Sequence, residues 1–152
     1  MSLREGPQSQ WLARGRVFFD TNILVYTDDR RYPDKQARAV ELVRQCRRNG
    51  TAVISTQVLQ EYYAAVTRKL DLASDIARGK VEFFSQFPVF LLEPLAILSA
   101  IDLHRLHQLS IWDGLILHAA LASNCKTLLT EDMAHGATIR GIRIVNPFAD
   151  LD

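Results

Sequence analysis

Short, continuous apolar runs alternate with longer amphipathic stretches along this chain. Arg16 to Phe19, Ala52 to Ile54, Val89 to Leu92, Lys126 to Thr130 and Ile142 to Val145 are too short for helices and predict buried strands. Between them, apolar residues recur at helical spacing. A short helix is expected from Ile23 to Asp28. A longer one opens at Pro33, a residue suited to a first helical turn, and ends near Asn49-Gly50, with Ala37, Val40, Leu42, Val43 and Cys46 facing inward. Ser55 or Thr56 caps a helix that closes on Arg68-Lys69, where cations favour a C-terminus. Further helices are expected from Ala73 to Ser85 and from Pro94 to about His107. Ser110 caps a last one, Trp112 to about Ser123, which is apolar nearly all round and so buried. Strands alternating with helices define an α/β fold: a three-layer α/β/α sandwich around a mostly parallel sheet of about five strands.

Four acids interrupt this pattern. Asp20 ends the run Val17-Phe18-Phe19, and Asp132 follows Leu128-Leu129-Thr130. Glu61 and Asp113 lie on the apolar stripes of two of the helices, with no Lys or Arg inside any of the four segments. A buried carboxylate costs several kcal/mol unless something positive meets it, and a hard divalent cation is the simplest partner for oxygen ligands. In open α/β sheets ligands gather outside the carboxyl ends of the strands, which is where Asp20 and Asp132 fall. Glu61 and Asp113 lie early in helices that begin at or near the same edge, so all four can meet. Each also has an ordinary structural role open to it, for Glu61 a place on the surface if its apolar stripe is misphased. Asp20 could cap the helix after it, Ser110-x-x-Asp113 is a capping-box pattern, and Glu131 competes with Asp132 for any role at that turn.

Composition narrows the classes. A hydrophobic share of 48% with 23% charged residues is that of an ordinary globular domain, so residues 16–152 are expected to form one domain behind an N-terminal extension, residues 1–15, expected to be disordered. No apolar stretch is long enough to cross a membrane, and the polar N-terminus lacks the apolar core of a signal peptide, which makes the cytoplasm the default. Cys46 and Cys125 are expected to be structural thiols. Setting the four acids aside, 18 basic residues face 13 acids, and 14 of the 18 are Arg. An acidic pocket on a basic surface suits a polyanion. His104 and His107 stand at i, i+3, a spacing that could face a metal, but they, His118 and His135 are expected to be core or solvated histidines, and no phosphate loop or nucleophile motif is present.

The segments around the acids carry a resemblance. Phe19-Asp20-Thr21-Asn22-Ile23-Leu24-Val25-Tyr26, Ser55 to Tyr63, Leu109-Ser110-Ile111-Trp112-Asp113-Gly114-Leu115-Ile116 and Leu128-Leu129-Thr130-Glu131-Asp132-Met133 resemble, in order, the acidic motifs of PIN domains, most closely those of VapC-type toxins. That resemblance implies an endoribonuclease using Mg²⁺ or Mn²⁺, one or two ions per site, an RNA substrate, a homodimer and a VapB-type antitoxin. It carries Asp20, Glu61, Asp113 and Asp132 over as metal ligands and catalytic residues. Asn22, Ser110 and Thr130 become the polar residues that orient them, and Asp132 is preferred to Glu131. Arg30, Arg31, Arg68 and Lys69 are the candidates for backbone phosphates.

Other readings remain at this level. A haloacid-dehalogenase-like phosphatase also opens on a strand-terminal Asp, but it wants D-x-D where this chain has Asn22, and its Lys would have to be Lys126, which begins its strand. A non-toxin PIN nuclease, a catalytically silent RNA- or protein-binding module and a nuclease for single-stranded DNA are the remaining alternatives.

Overall fold

The computed structural model describes Leu12 and residues 15–151, so the expectation for residues 1–15 falls almost entirely outside the described residues. The elements run β1 (Val17–Phe19), α1 (Thr21–Tyr26), α2 (Pro33–Asn49), β2 (Ala52–Ser55), α3 (Thr56–Lys69), α4 (Ser74–Phe84), β3 (Val89–Phe90), α5 (Pro94–His107), α6 (Ile111–Ala122), β4 (Thr127–Leu129), β5 (Thr138–Ile139) and β6 (Ile142–Val145). They form the expected α/β sandwich around one sheet in the order β3-β2-β1-β4-β6-β5. Every pairing is parallel except that of β5 with β6.

Six strands stand among the described residues where about five were expected. The extra one, β5, is two residues long and offers no periodicity to read. Its local signature is the turn that follows: Arg140 and Gly141 sit at φ 48° and 86°, the left-handed pair of a two-residue hairpin. A second difference lies in α2, where Ala39 rather than Ala37 packs inward with Leu42, Val43 and Cys46. Positions 39, 42, 43 and 46 share one face of a 3.6-residue period, and Ala37 falls off it.

The core is built on β1 and β4, whose six residues are all buried. Phe19 lies beside Leu129 in register, so the two strands end together and release the chain at one edge. Strand order reverses across this point: the chain leaves β1 for β2 on one side, and β4 lies on the other. That is the crevice in which an open α/β sheet holds its ligand. Close packing of α5 on α6 adjusts the same edge. A Cβ at Gly114 would stand 2.7 Å from the Ala100 carbonyl oxygen, so only glycine lets the first turn of α6, which carries Asp113, approach α5 this closely. Cys46 and Cys125 are buried and unpaired, with burial pushing their thiols up to about 11 and about 12, as structural thiols should be. No helix among the described residues is long and apolar enough to cross a membrane.

Candidate metal centre at the β1–β4 edge

Asp20 follows β1 directly, and its backbone N–H donates to Leu129 O at 3.0 Å, tying it to the end of β4. One carboxylate oxygen accepts from the Thr21 N–H at 2.7 Å, capping α1, and the other accepts from the Thr130 hydroxyl at 2.7 Å. Thr130 is fully buried, and its hydroxyl oxygen also accepts from the Asp132 N–H at 3.1 Å. One threonine therefore sets the spacing of two acids from different strands. The Asn22 amide completes the arrangement by donating to Asp132 at 2.9 Å. Asp113 enters from α6, whose first turn is held by the Ser110 hydroxyl accepting from the Asp113 N–H at 3.0 Å. The capping role and the position at the cleft coexist: Ser110 accepts from the backbone N–H and also bonds the carboxylate, which still presents an oxygen to the cluster.

Oxygens of Asp20, Asp113 and Asp132 all lie within 4.8 Å of one another, and no other such group of acids, histidines or cysteines occurs among the described residues. Asp20 is buried, Asp113 half-buried and Asp132 exposed, so the cluster opens to solvent on the Asp132 side. Burial poses the cation question most strongly for Asp20 and next for Asp113, and the crowding of the three carboxylates adds to it. Burial pushes Asp20 up to about 7, opposed by the hydrogen bonds from Thr130 and Thr21 and reinforced by Asp132 and Asp113. Asp113 is also raised, by burial first, with Asp132 and Glu61 adding to it against the Ser110 hydrogen bond.

Glu61 stands beside this group rather than within it. The Thr21 hydroxyl donates to one of its oxygens at 2.9 Å and the Gln57 amide to the other at 2.9 Å. Gln57 is buried, and its amide also reaches Trp112 O at 3.4 Å, joining α3 to the helix start that bears Asp113. Thr21 and Gln57 were not singled out in the sequence. Gln57 at i−4 from Glu61, on the same helix face, is the signal that points to it. Glu131 is occupied elsewhere: it accepts from the Tyr26 hydroxyl at 2.8 Å and pairs with Lys35 at 3.0 Å, which leaves Asp132 as the acid facing the cluster.

The donor set fits a hard divalent cation. Three carboxylates converge with no ion pair to a guanidinium or ammonium among the described residues. Asn22 Oδ1 and Gln57 Oε1 are buried acceptors without a partner among the described residues, suited to hydrogen bonds from waters around an ion. From the cluster a groove of about 450 Å³ extends past Glu61 to Arg31, Arg68 and Lys69. Arg30 lines an adjoining cavity instead. Arg31 is committed to buried Asp29 through two side-chain bonds of 2.9 Å, whereas Arg30, Arg68 and Lys69 make no ion pair or hydrogen bond among the described residues.

An α/β sandwich with an acidic, metal-ready cleft at its topological switch point is the class that fold and site define. Residues 17–137 match the PIN domain model, and the chain belongs to the PIN domain family, whose members are in general nucleases. The fold is shared with several solved structures. A toxin–antitoxin complex from Klebsiella pneumoniae superposes with a TM-score of 0.61 at 21% identity, covering 86% of this chain and 97% of the other. The sarcin–ricin-loop-cleaving toxin VapC20 of Mycobacterium tuberculosis gives 0.61 at 15% identity, covering 76% and 91%. VapBC2 of Rickettsia felis, bound to a DNA fragment from its promoter, gives 0.58 at 24% identity, covering 84% and 96%. No curated protein matches the chain in sequence.

Proposed function

We propose that this chain is a Mg²⁺- or Mn²⁺-dependent endoribonuclease of the VapC toxin type, acting in the cytoplasm and restrained by a VapB-type antitoxin. The observation that carries this is the convergence of Asp20, Asp113 and Asp132 within 4.8 Å at the mouth of a groove with unpaired cations. One or two divalent ions bound there would acidify a water and neutralise charge building on the phosphate. The chain's own residues prepare the site for that. Thr130 and Asn22 fix Asp20 and Asp132. Glu61, immobilised by Thr21 and Gln57, keeps lone pairs for orienting water. Arg68 and Lys69 take the flanking phosphates. Water adds to phosphorus in line with the departing 3′-oxygen, the P–O3′ bond breaks, and the products carry a 5′-phosphate and a 3′-hydroxyl. No side-chain nucleophile is needed, and both cysteines are buried out of reach.

The phosphatase alternative loses its lysine: Lys126 sits at the amino end of β4, opposite the edge that holds the acids. To test the nuclease reading, total RNA would be incubated with purified chain and Mg²⁺, Mn²⁺ or EDTA, and the new ends mapped by sequencing. Discrete cuts that require the metal are expected. Cuts that persist in EDTA, cuts confined to single-stranded DNA, or no cuts with either metal would each sink it.

The partner assignments rest on two further observations. Two of the structural neighbours are toxins with their antitoxins. On α5, Leu95, Leu98 and Leu106 are 78%, 58% and 65% exposed and share one face, an apolar surface suited to a second copy of the chain. Light scattering of the purified chain should give a dimer mass that Leu95→Lys/Leu98→Lys reduces to a monomer. A wild-type monomer at micromolar concentration would remove the dimer from the proposal. Growth arrest on expression should be relieved by co-expressing an adjacent small open reading frame. If no neighbouring frame relieves it, the antitoxin part falls.

A further inference from the structure

The groove at the carboxylates does not end at Lys69. A larger cavity of about 760 Å³ adjoins it, and the two share Asp29, Arg31 and Lys69 in their walls. We propose that this cavity is a subsite for a flanking, unstacked nucleotide of the RNA strand, which runs from the carboxylates along α3 toward its C-terminus. The inference rests on the nuclease reading for its substrate.

Two acids that would repel a phosphate are already neutralised in place. Asp28 has one oxygen paired with Lys80 and the other accepting from the Tyr62 hydroxyl at 2.6 Å. Asp29 is held by Arg31, whose guanidinium also lies 5.6 Å from the centre of the Tyr32 ring. Arg31 is thus part of the wall between groove and cavity, with its charge already spent on Asp29. The cations left for a ligand are Arg30 and Lys69, against the single exposed acid Asp71. Leu70, Leu72 and half-exposed Ile76 line the same space and give a base an apolar surface. A volume of this size is in the range of small-molecule sites, about 300–1,000 Å³.

The geometry also orders the contacts. Arg68 and Lys69 lie seven and eight positions beyond Glu61 on α3, about 10–12 Å along its axis at 1.5 Å per residue. A strand with its reacting phosphate at the acids therefore meets Arg68 and Lys69 next, and Arg30 only after passing the Asp29–Arg31 pair. A strand too short to reach past that pair leaves the cavity unused.

The test is binding, measured apart from cleavage. Fluorescence anisotropy would follow a labelled single-stranded RNA of ~12 nucleotides and mixed sequence in EDTA, across a salt series. Arg30→Ala/Lys69→Ala should weaken binding by about tenfold near 0.1 M salt and flatten the salt slope by about 1.4, two phosphate contacts at roughly 0.7 each. Arg48→Ala/Arg140→Ala, which removes two cations lining neither cavity, should leave the slope unchanged. Ile76→Glu should weaken binding without altering the protein's melting temperature by more than a degree or so. The proposal is overturned by a wild-type slope in Arg30→Ala/Lys69→Ala, or by equal loss in the control pair. It is also overturned if the substitutions abolish binding of poly-glutamate but not of RNA, which would make the cavity a protein-docking site. A chain that cuts RNA with an unchanged slope keeps the nuclease reading, without the phosphate contact assigned to Lys69, and loses the subsite. One that binds with the predicted slope but never cuts does the reverse.

Discussion

Asp20→Asn should lower metal-dependent RNA cleavage by about a thousandfold while leaving the fold intact. The reason lies in what the amide preserves. Asn keeps an oxygen for the Thr21 N–H, so α1 retains its cap. Its Nδ2 takes the place of the oxygen that accepts from Thr130, and the Thr130 hydroxyl can turn from donor to acceptor to meet it. What disappears is the negative charge at the most buried of the clustered acids. Because that charge is costly to bury, the metal-free variant should melt no lower than wild type at pH 8. Both readouts are needed: kcat on a mapped RNA site with Mn²⁺, and thermal melts in EDTA. Cleavage within tenfold of wild type would remove Asp20 from the site, and a collapsed fold would show that the hydrogen-bond reasoning is wrong.

Thermal stability should report the same site without any substrate. The Asp20 carboxyl stands at about 7 in the folded chain against an ordinary value of 3.8. Between those values the folded state holds a proton that the unfolded state has lost. This group's contribution is therefore most favourable below about pH 4 and is lost as pH rises through about 7. A divalent ion needs the ionised form, so its binding opposes that loss and competes with protons. At 100 times its dissociation constant an ion adds about 2.7 kcal/mol, or roughly 5–10 °C for a chain of this length. Mn²⁺ should then raise the melting temperature by several degrees at pH 8 and by much less at pH 5. Asp20→Asn should show little Mn²⁺ effect at either pH. Equal shifts at both pH values in the wild type would mean that Asp20 does not bind the ion.

Much of the site was legible because its signals are local. Asp20 and Asp132 end apolar runs, and a run's end is visible in the chain itself. Ser110 precedes Asp113 at capping distance, and the structure has that cap. Thr130 and Asn22 were marked by the motifs around them and do bond to the acids. Thr21 and Gln57 were missed because a Thr after Asp20 reads as part of a turn, and a Gln in an amphipathic helix reads as surface. Their importance comes from meeting Glu61, which lies 40 positions from Thr21. The basic residues divide by how their side chains are used in the fold, although here the decisive partner is local. Arg30, Arg31, Arg68 and Lys69 look alike in sequence, yet Arg31 is consumed by its neighbour Asp29.

The sequence by itself determined the elements, their alternation and the acids at the sheet edge, since run length, helical period and capping depend on neighbours a few positions apart. The tertiary structure decided how those acids share one cleft. Asp132 turns to the cluster while Lys35 and Tyr26 claim Glu131, and Glu61 is drawn aside by Thr21 and Gln57. It also decided the extent of the burial problem: Asp20 is closed off and Asp132 is open to solvent. Apart from the Gln57–Glu61 bond, those outcomes depend on contacts between segments 40 to 110 positions apart, made only when the strands and the helices around them pack together. No local pattern encodes which of two adjacent carboxylates a distant lysine will reach.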